Sequence, residues 1–182
     1  MTNNENCLEK YKNCIETIKE ISKDSTNVEY MSESECEIYN FDKIKTLYLN
    51  GLGLSEESCK STDGLMILDN DKHYFLEFKN GDLKGKGKDL RLKIKASVNI
   101  YCDICKKNIS DMRKKDEFIL IYNESKNSSY RADIGKHLSK KAGKEFGMFG
   151  LDRYISLYFK EVHTYTESEF EEFLKRLNIS EI

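Results

Sequence analysis

Apolar residues along this chain recur with two different periods, and the switches between them divide it into elements. Near the start Leu8, Tyr11, Ile15, Ile18 and Ile21 recur every three or four positions, which predicts an amphipathic helix over about residues 5–23. Glu9, Glu16 and Glu20 fall off that stripe and are expected to face solvent. Polar residues cluster over 24–35. Ile38, Tyr39 and Phe41 then precede Ile44, Leu47, Tyr48 and Leu49, a pattern that fits a short strand followed by a helical turn.

A hairpin comes next. Gly64 to Leu68 is a short apolar strand, Asp69-Asn70-Asp71 is turn chemistry, and His73 to Lys79 is a second strand closed by Asn80-Gly81. On that second strand Tyr74, Leu76 and Phe78 share one face, and Phe75, Glu77 and Lys79 share the other. Residues 89–107 fit two templates. Leu90, Leu92, Ile94, Ala96, Val98 and Ile100 alternate as in a strand, while Leu90, Ile94, Ser97, Val98, Tyr101 and Ile104 mark a helix face. The segment runs 19 residues without a turn signal, far beyond the usual strand of about five or six, so it is expected to be helical.

Phe118 to Tyr122 reads as a central buried strand. Ile134, Leu138 and Ala142 predict a helix over about 130–145, ended by Gly147 and Gly150, and Ile155, Leu157 and Phe159 alternate as a further strand. Thr166 and Glu169 have the spacing of a capping box before a closing helix marked by Phe170, Phe173, Leu174 and Leu177. The order predicts one α/β domain over residues 1–182, with a mixed central sheet flanked by helices.

Composition narrows the class. Of 182 residues 34% are charged and 38% hydrophobic, and 11 Tyr with 9 Phe supply bulk for a core, so the chain is polar but foldable. No apolar run approaches the roughly 20 residues that span a bilayer, and the polar, acidic start is unlike a secretory signal. A cytoplasmic protein with no membrane association is expected, its six cysteines reduced. Cys102-X-X-Cys105 lacks a second ligand pair and is read as helix packing, as are Cys7 and Cys14 on one face of the first helix. His73, His137 and His163 are scattered and lend little to a histidine triad. The glycines at 81, 85 and 87 lack phosphate-loop spacing, and Asn50 to Gly53 is a turn. The net charge of -2 is unevenly spread, since residues 84–144 hold 17 basic and 7 acidic side chains between acidic flanks. Such a block either attracts a polyanion or merely solvates helix exteriors.

The hairpin holds the most pointed chemistry. With a three-residue loop Leu68 pairs with Lys72, and counting back sets Asp63 opposite Glu77. A two-residue loop would turn Asp63 to the other face. Facing carboxylates repel unless a cation lies between them, and Mg²⁺ commonly takes one or two carboxylates together with phosphate oxygens and water. Lys79 shares the face and would orient or deprotonate a water, or stabilise charge on a phosphate. A Glu-X-Lys on a strand is often only a solvated ion pair. Here its apolar neighbours indicate a central strand, where ionisable groups are costly unless used.

Ser61-Thr62-Asp63-Gly64, followed after the hairpin by Glu77-Phe78-Lys79, resembles the PD-(D/E)XK nuclease superfamily, with its helix–three-strand–helix–strand core and Asp…Glu-X-Lys pattern. The resemblance covers roughly residues 5–125 and implies a restriction-endonuclease-like core, with residues 130–182 as a helix–strand–helix extension. It implies that Asp63 and Glu77 bind Mg²⁺ or Mn²⁺, that Lys79 is the catalytic lysine, and that the reaction is phosphodiester hydrolysis. Thr62 stands where the family often has proline, and no polar position of the first helix stands out as a supplementary ligand. Lys84, Lys86, Lys88, Arg91, Lys93 and Lys95 follow the motif and are expected to engage a nucleic-acid backbone, DNA in preference to RNA, largely without regard to sequence. The short chain leaves little room for a specificity domain, which suits a homodimer or larger assembly. The alternative is a binding module on the same fold, such as a bacterial immunity protein whose acidic N-terminal block meets a basic toxin. A third possibility is a structural or regulatory partner with no site.

Overall fold

The computed structural model describes residues 7–24, 26, 28–68, 72–128 and 148–177. In chain order these form β1 (Ile15–Thr17), α1 (Ile18–Ile21), β2 (Lys23–Asp24), β3 (Glu29–Tyr30), β4 (Glu37–Asn40) and α2 (Phe41–Gly51). The hairpin β5 (Gly64–Leu68) and β6 (Lys72–Lys79) follows, then α3 (Gly87–Cys105), α4 (Ile109–Lys115), β7 (Glu117–Tyr122), β8 (Glu161–Thr166) and α5 (Glu167–Arg176). Six strands make one mixed sheet in the order β1-β4-β5-β6-β7-β8, and β2 with β3 makes a separate ribbon. Strands from β1 to β6 pair antiparallel, whereas β6, β7 and β8 run parallel. A parallel step needs a long crossover, and α3 with α4 supplies the one from β6 to β7.

The period of two on β6 sorts its side chains between two cores. Phe75 packs with Leu90, Ile94, Val98 and Tyr101 of α3, while Tyr74, Leu76 and Phe78 pack with Phe170, Phe173 and Leu174 of α5. The sheet thus lies between helices, an α/β arrangement with every residue of β7 buried. The Thr166 hydroxyl accepts from Glu169 N–H at 3.3 Å, and the Glu169 carboxylate accepts from Thr166 N–H at 2.8 Å, completing the capping box that starts α5. No helix among the described residues is long and apolar enough to cross a membrane.

Four expectations change. The first helix is broken into a 3-10 turn (Glu9–Cys14), β1 and α1. Leu8, Tyr11, Cys14 and Ile18 are buried as the stripe suggests, but β-branched Ile15 and Thr17 extend to pair with Tyr39 and Glu37. Glu16 therefore turns inward, accepting from Asn40 Nδ2 at 2.6 Å and pairing with Lys43, rather than facing water. Ile155 to Phe159 is not a strand: the two ends form an isolated bridge, Ser156 has φ of 62°, and the strand lies later, at Glu161–Thr166. The cysteines are not all reduced, because the chain turn at Cys7 meets the end of α3 and forms a disulfide between Cys7 and Cys105. Helix α4 carries only Ile109 and Met112 as apolar residues and gave no periodic signal; Asn108 starts it by accepting from Asp111 N–H. The helix expected at 130–145 and the loop 69–71 lie outside the described residues.

Candidate active site

Register places the first two side chains. Leu68 pairs with Lys72 and Gly64 with Leu76, the register of a three-residue loop. One step further, Asp63 N–H donates to Leu76 O at 3.0 Å, and Phe78 N–H donates to Asp63 Oδ2 at 2.7 Å. Asp63 and Glu77 therefore stand side by side on the face that α3 covers.

Helix α3 closes the site from above. Lys93 Nζ lies 2.9 Å from Asp63 Oδ1 and 2.7 Å from Glu77 Oε1, so one ammonium bridges both carboxylates. Lys79 Nζ lies 2.7 Å from the same Glu77 oxygen. Ser97, one turn along α3 from Lys93, accepts from Thr62 N–H at 2.8 Å and ties the segment before Asp63 to the helix. On the other side Phe41 N–H donates to Asp63 O at 2.9 Å, and Ser61 Oγ bonds Asp42. The aspartate is held from both layers.

Glu77 is fully buried. Burial, then the neighbouring Asp63 charge, pushes its carboxyl up to about 7 against the pull of Lys93 and Lys79. Oε2 is buried with no partner among the described residues, which makes it the natural seat of the proton. Burial by itself would lower the Lys93 ammonium, but the attraction of Glu77 and Asp63 outweighs it and holds the group above its ordinary range.

Asp63 and Lys79 line a cleft of about 310 Å³ together with Lys23, Asp24 and Asp42, whereas Glu77 and Lys93 are not part of its lining. The β2–β3 ribbon walls it, since Asn80 Nδ2 donates to Asp24 Oδ2 at 2.9 Å and Glu29 Oε2 at 2.7 Å.

The structure brings Asp63, Glu77 and Lys79 together and adds Lys93, which was expected among the backbone-binding lysines. Lys84, Lys86, Lys88 and Lys95 are exposed. At 100° per residue, Lys88, Arg91 and Lys95 lie on the side of α3 away from Lys93. Sequence carried a signal for Lys93: it stands three after Leu90 and four before Ser97, within the buried stripe. The histidines also have partners that spacing did not indicate. His73 Nδ1 lies 2.9 Å from Asp116 Oδ1 and His163 Nε2 lies 3.0 Å from Glu117 Oε2, both pairs buried.

Compared with protein-family models, with curated proteins and with solved structures, the chain finds no match.

Proposed function

We propose that this chain is a divalent-metal-dependent nuclease with a restriction-endonuclease-like core of the PD-(D/E)XK type. The observation that carries the reading is the fully buried Glu77 set beside Asp63, with Lys79 two residues on at the rim of the cleft. The later part of the order of elements supports it, the antiparallel β5–β6 hairpin, then α3, then β7 parallel to β6, whereas α2 interrupts the strands between β4 and β5.

The residues present fit Mg²⁺ or Mn²⁺. Two hard carboxylates already share one cationic partner, and Glu77 Oε2 is a buried oxygen without one among the described residues. Such an ion, when bound, polarises a phosphate and lowers the pKa of its water. The chain's own groups do the rest. Glu77 loses its proton, and Lys93 withdraws its ammonium along a flexible four-carbon stem. Lys79, 24% exposed, faces the cleft and its ammonium stabilises charge on the phosphate. Lys84 and Lys86, exposed in the turn before α3, hold the nucleic-acid backbone outside the cleft.

A non-catalytic binding module is the second reading. One observation favours it: the two carboxylates are already neutralised by Lys93 and Lys79, as in a closed structural ion network. Incubation with supercoiled plasmid, linear DNA and RNA, with Mg²⁺ or Mn²⁺ and with chelator, separates the two. Metal-dependent cleavage that disappears in Glu77→Gln supports the nuclease. Intact substrates under every condition favour the binding module.

A further inference from the structure

At the opposite end of the sheet, and on its other face, β7 and β8 assemble donors of a different kind. Glu117 and Glu161 are register partners on adjacent parallel strands, and His163 stands two residues beyond Glu161, so all three share a face. That face is the one bearing Tyr74, the partner of Glu117, and not the one bearing Glu77. His163 Nε2 is 3.0 Å from Glu117 Oε2 and 3.6 Å from Glu161 Oε2, and one donor atom from each residue lies within 4.8 Å of the others.

The surroundings are built to hold these donors in place. Glu117 and His163 are 3% and 8% exposed. Lys72 Nζ takes the other Glu117 oxygen, Oε1, at 2.6 Å and so leaves Oε2 turned to the histidine. The Tyr165 ring stacks on His163 at 5.6 Å with 18° between planes, fixing the direction of Nε2. Glu161, side chain 49% exposed, closes the set from the solvent side.

Donor type and spacing select the ion. Ligands around a tetrahedral Zn²⁺ with bonds of about 2.0–2.1 Å stand roughly 3.3–3.4 Å apart, and the two His163 distances bracket that value. One imidazole with two carboxylates suits Zn²⁺ and its neighbours Co²⁺ and Ni²⁺, whereas Mg²⁺ prefers an all-oxygen octahedron.

We propose that Glu117, Glu161 and His163 form a binding site for a zinc-class divalent cation, separate from the carboxylate pair at Asp63 and Glu77. On binding, the proton of the neutral His163 imidazole sits on Nδ1, and Nε2, Glu117 Oε2 and Glu161 Oε2 join one ion. Lys72 keeps Oε1 as an outer partner, and water takes the solvent-side position. The ion cross-links β8 to β7.

Titration of the metal-free protein with Co²⁺, followed by visible absorption and calorimetry, tests this. In a large excess of Mg²⁺, which occupies Asp63 and Glu77, the expected result is one Co²⁺ per chain with d–d bands of low-coordinate cobalt, displaced by Zn²⁺. Half-exposed Glu161 can be changed without loss of core, so Glu161→Gln should fold normally and bind at least about tenfold more weakly. His163→Gln should abolish the bands, and Glu77→Gln should leave them unchanged. Absence of the bands, their persistence at full strength in both Glu161→Gln and His163→Gln, or their loss in Glu77→Gln would overturn the assignment.

Discussion

Lys93 Nζ lies 2.7 Å from Glu77 Oε1, so α3 supplies the counter-charge for a carboxylate buried in the central sheet. Removing Lys93 leaves Glu77 to Lys79 alone and Asp63 without its ammonium, at a cost below the roughly 3–5 kcal/mol of a buried charge left with no partner. Lys93→Met keeps the stem and deletes the charge. Its urea unfolding midpoint should fall markedly at pH 8 and much less at pH 5, where a protonated Glu77 needs no partner. An equal loss at both pH values would show that Lys93 acts through packing alone.

Glu77 makes stability pH-dependent in a defined window. Its ordinary value is 4.5 and its folded value about 7, so between the two the folded protein keeps a proton that the unfolded chain has lost. Its contribution is full below about pH 4.5 and is lost as pH rises through about 7, a change on the order of 3 kcal/mol. Glu77→Gln should flatten that decline. Mn²⁺ competes with the same proton, so its affinity at Asp63 and Glu77 should rise by about tenfold per pH unit below 7 and level off above. Calorimetry at pH 6, 7 and 8 reads this directly, and a pH-independent affinity would remove Glu77 from the ligand set.

Lys79→Ala should abolish metal-dependent cleavage while unfolding only slightly earlier than the parent. The side chain is 24% exposed, and its partner Glu77 keeps Lys93, so the loss is about one charge-assisted hydrogen bond, roughly 1–3 kcal/mol. Its proposed work on developing charge adds little to ground-state binding, so gel-shift affinity in Ca²⁺ should stay within about twofold. Cleavage at the parental rate would dismiss Lys79 as the catalytic lysine.

The Cys7–Cys105 bridge closes a loop of 98 residues around most of the sheet. Cross-linking a loop of that length restricts the unfolded chain by about 5 kcal/mol. Cys7→Ser, or full reduction, should lower stability by that order without altering cleavage, because the bridge lies at the far end of α3 from Lys93. Peptide mapping under non-reducing conditions checks the pairing itself. Recovery of Cys105 paired with Cys102 instead would contradict it.

Much of the candidate site was legible in the residue order because it is local. The Asp63–Glu77 relation needs only a hairpin, and strand alternation with a three-residue loop determines which side chains share a face. The buried helix after it was readable from Leu90, Ile94, Ser97 and Val98, and the capping box from Thr166 and Glu169. Contacts between elements distant along the chain were not readable. The Lys93 bridge requires the tilt and depth of α3 over β5 and β6. The Glu117–Glu161–His163 cluster requires that β8 dock parallel to β7 in one register out of many. Ile15–Thr17 left its helical pattern for pairing with β4, since an unpaired sheet edge outweighed three residues of helix periodicity. Periodicity along the chain determines which face a side chain takes, because the dihedral geometry of helix and strand sets it residue by residue. Which charged groups meet across those faces was decided only when the layers packed, because burial makes an unpaired carboxylate costly and selects the arrangement that supplies its cation.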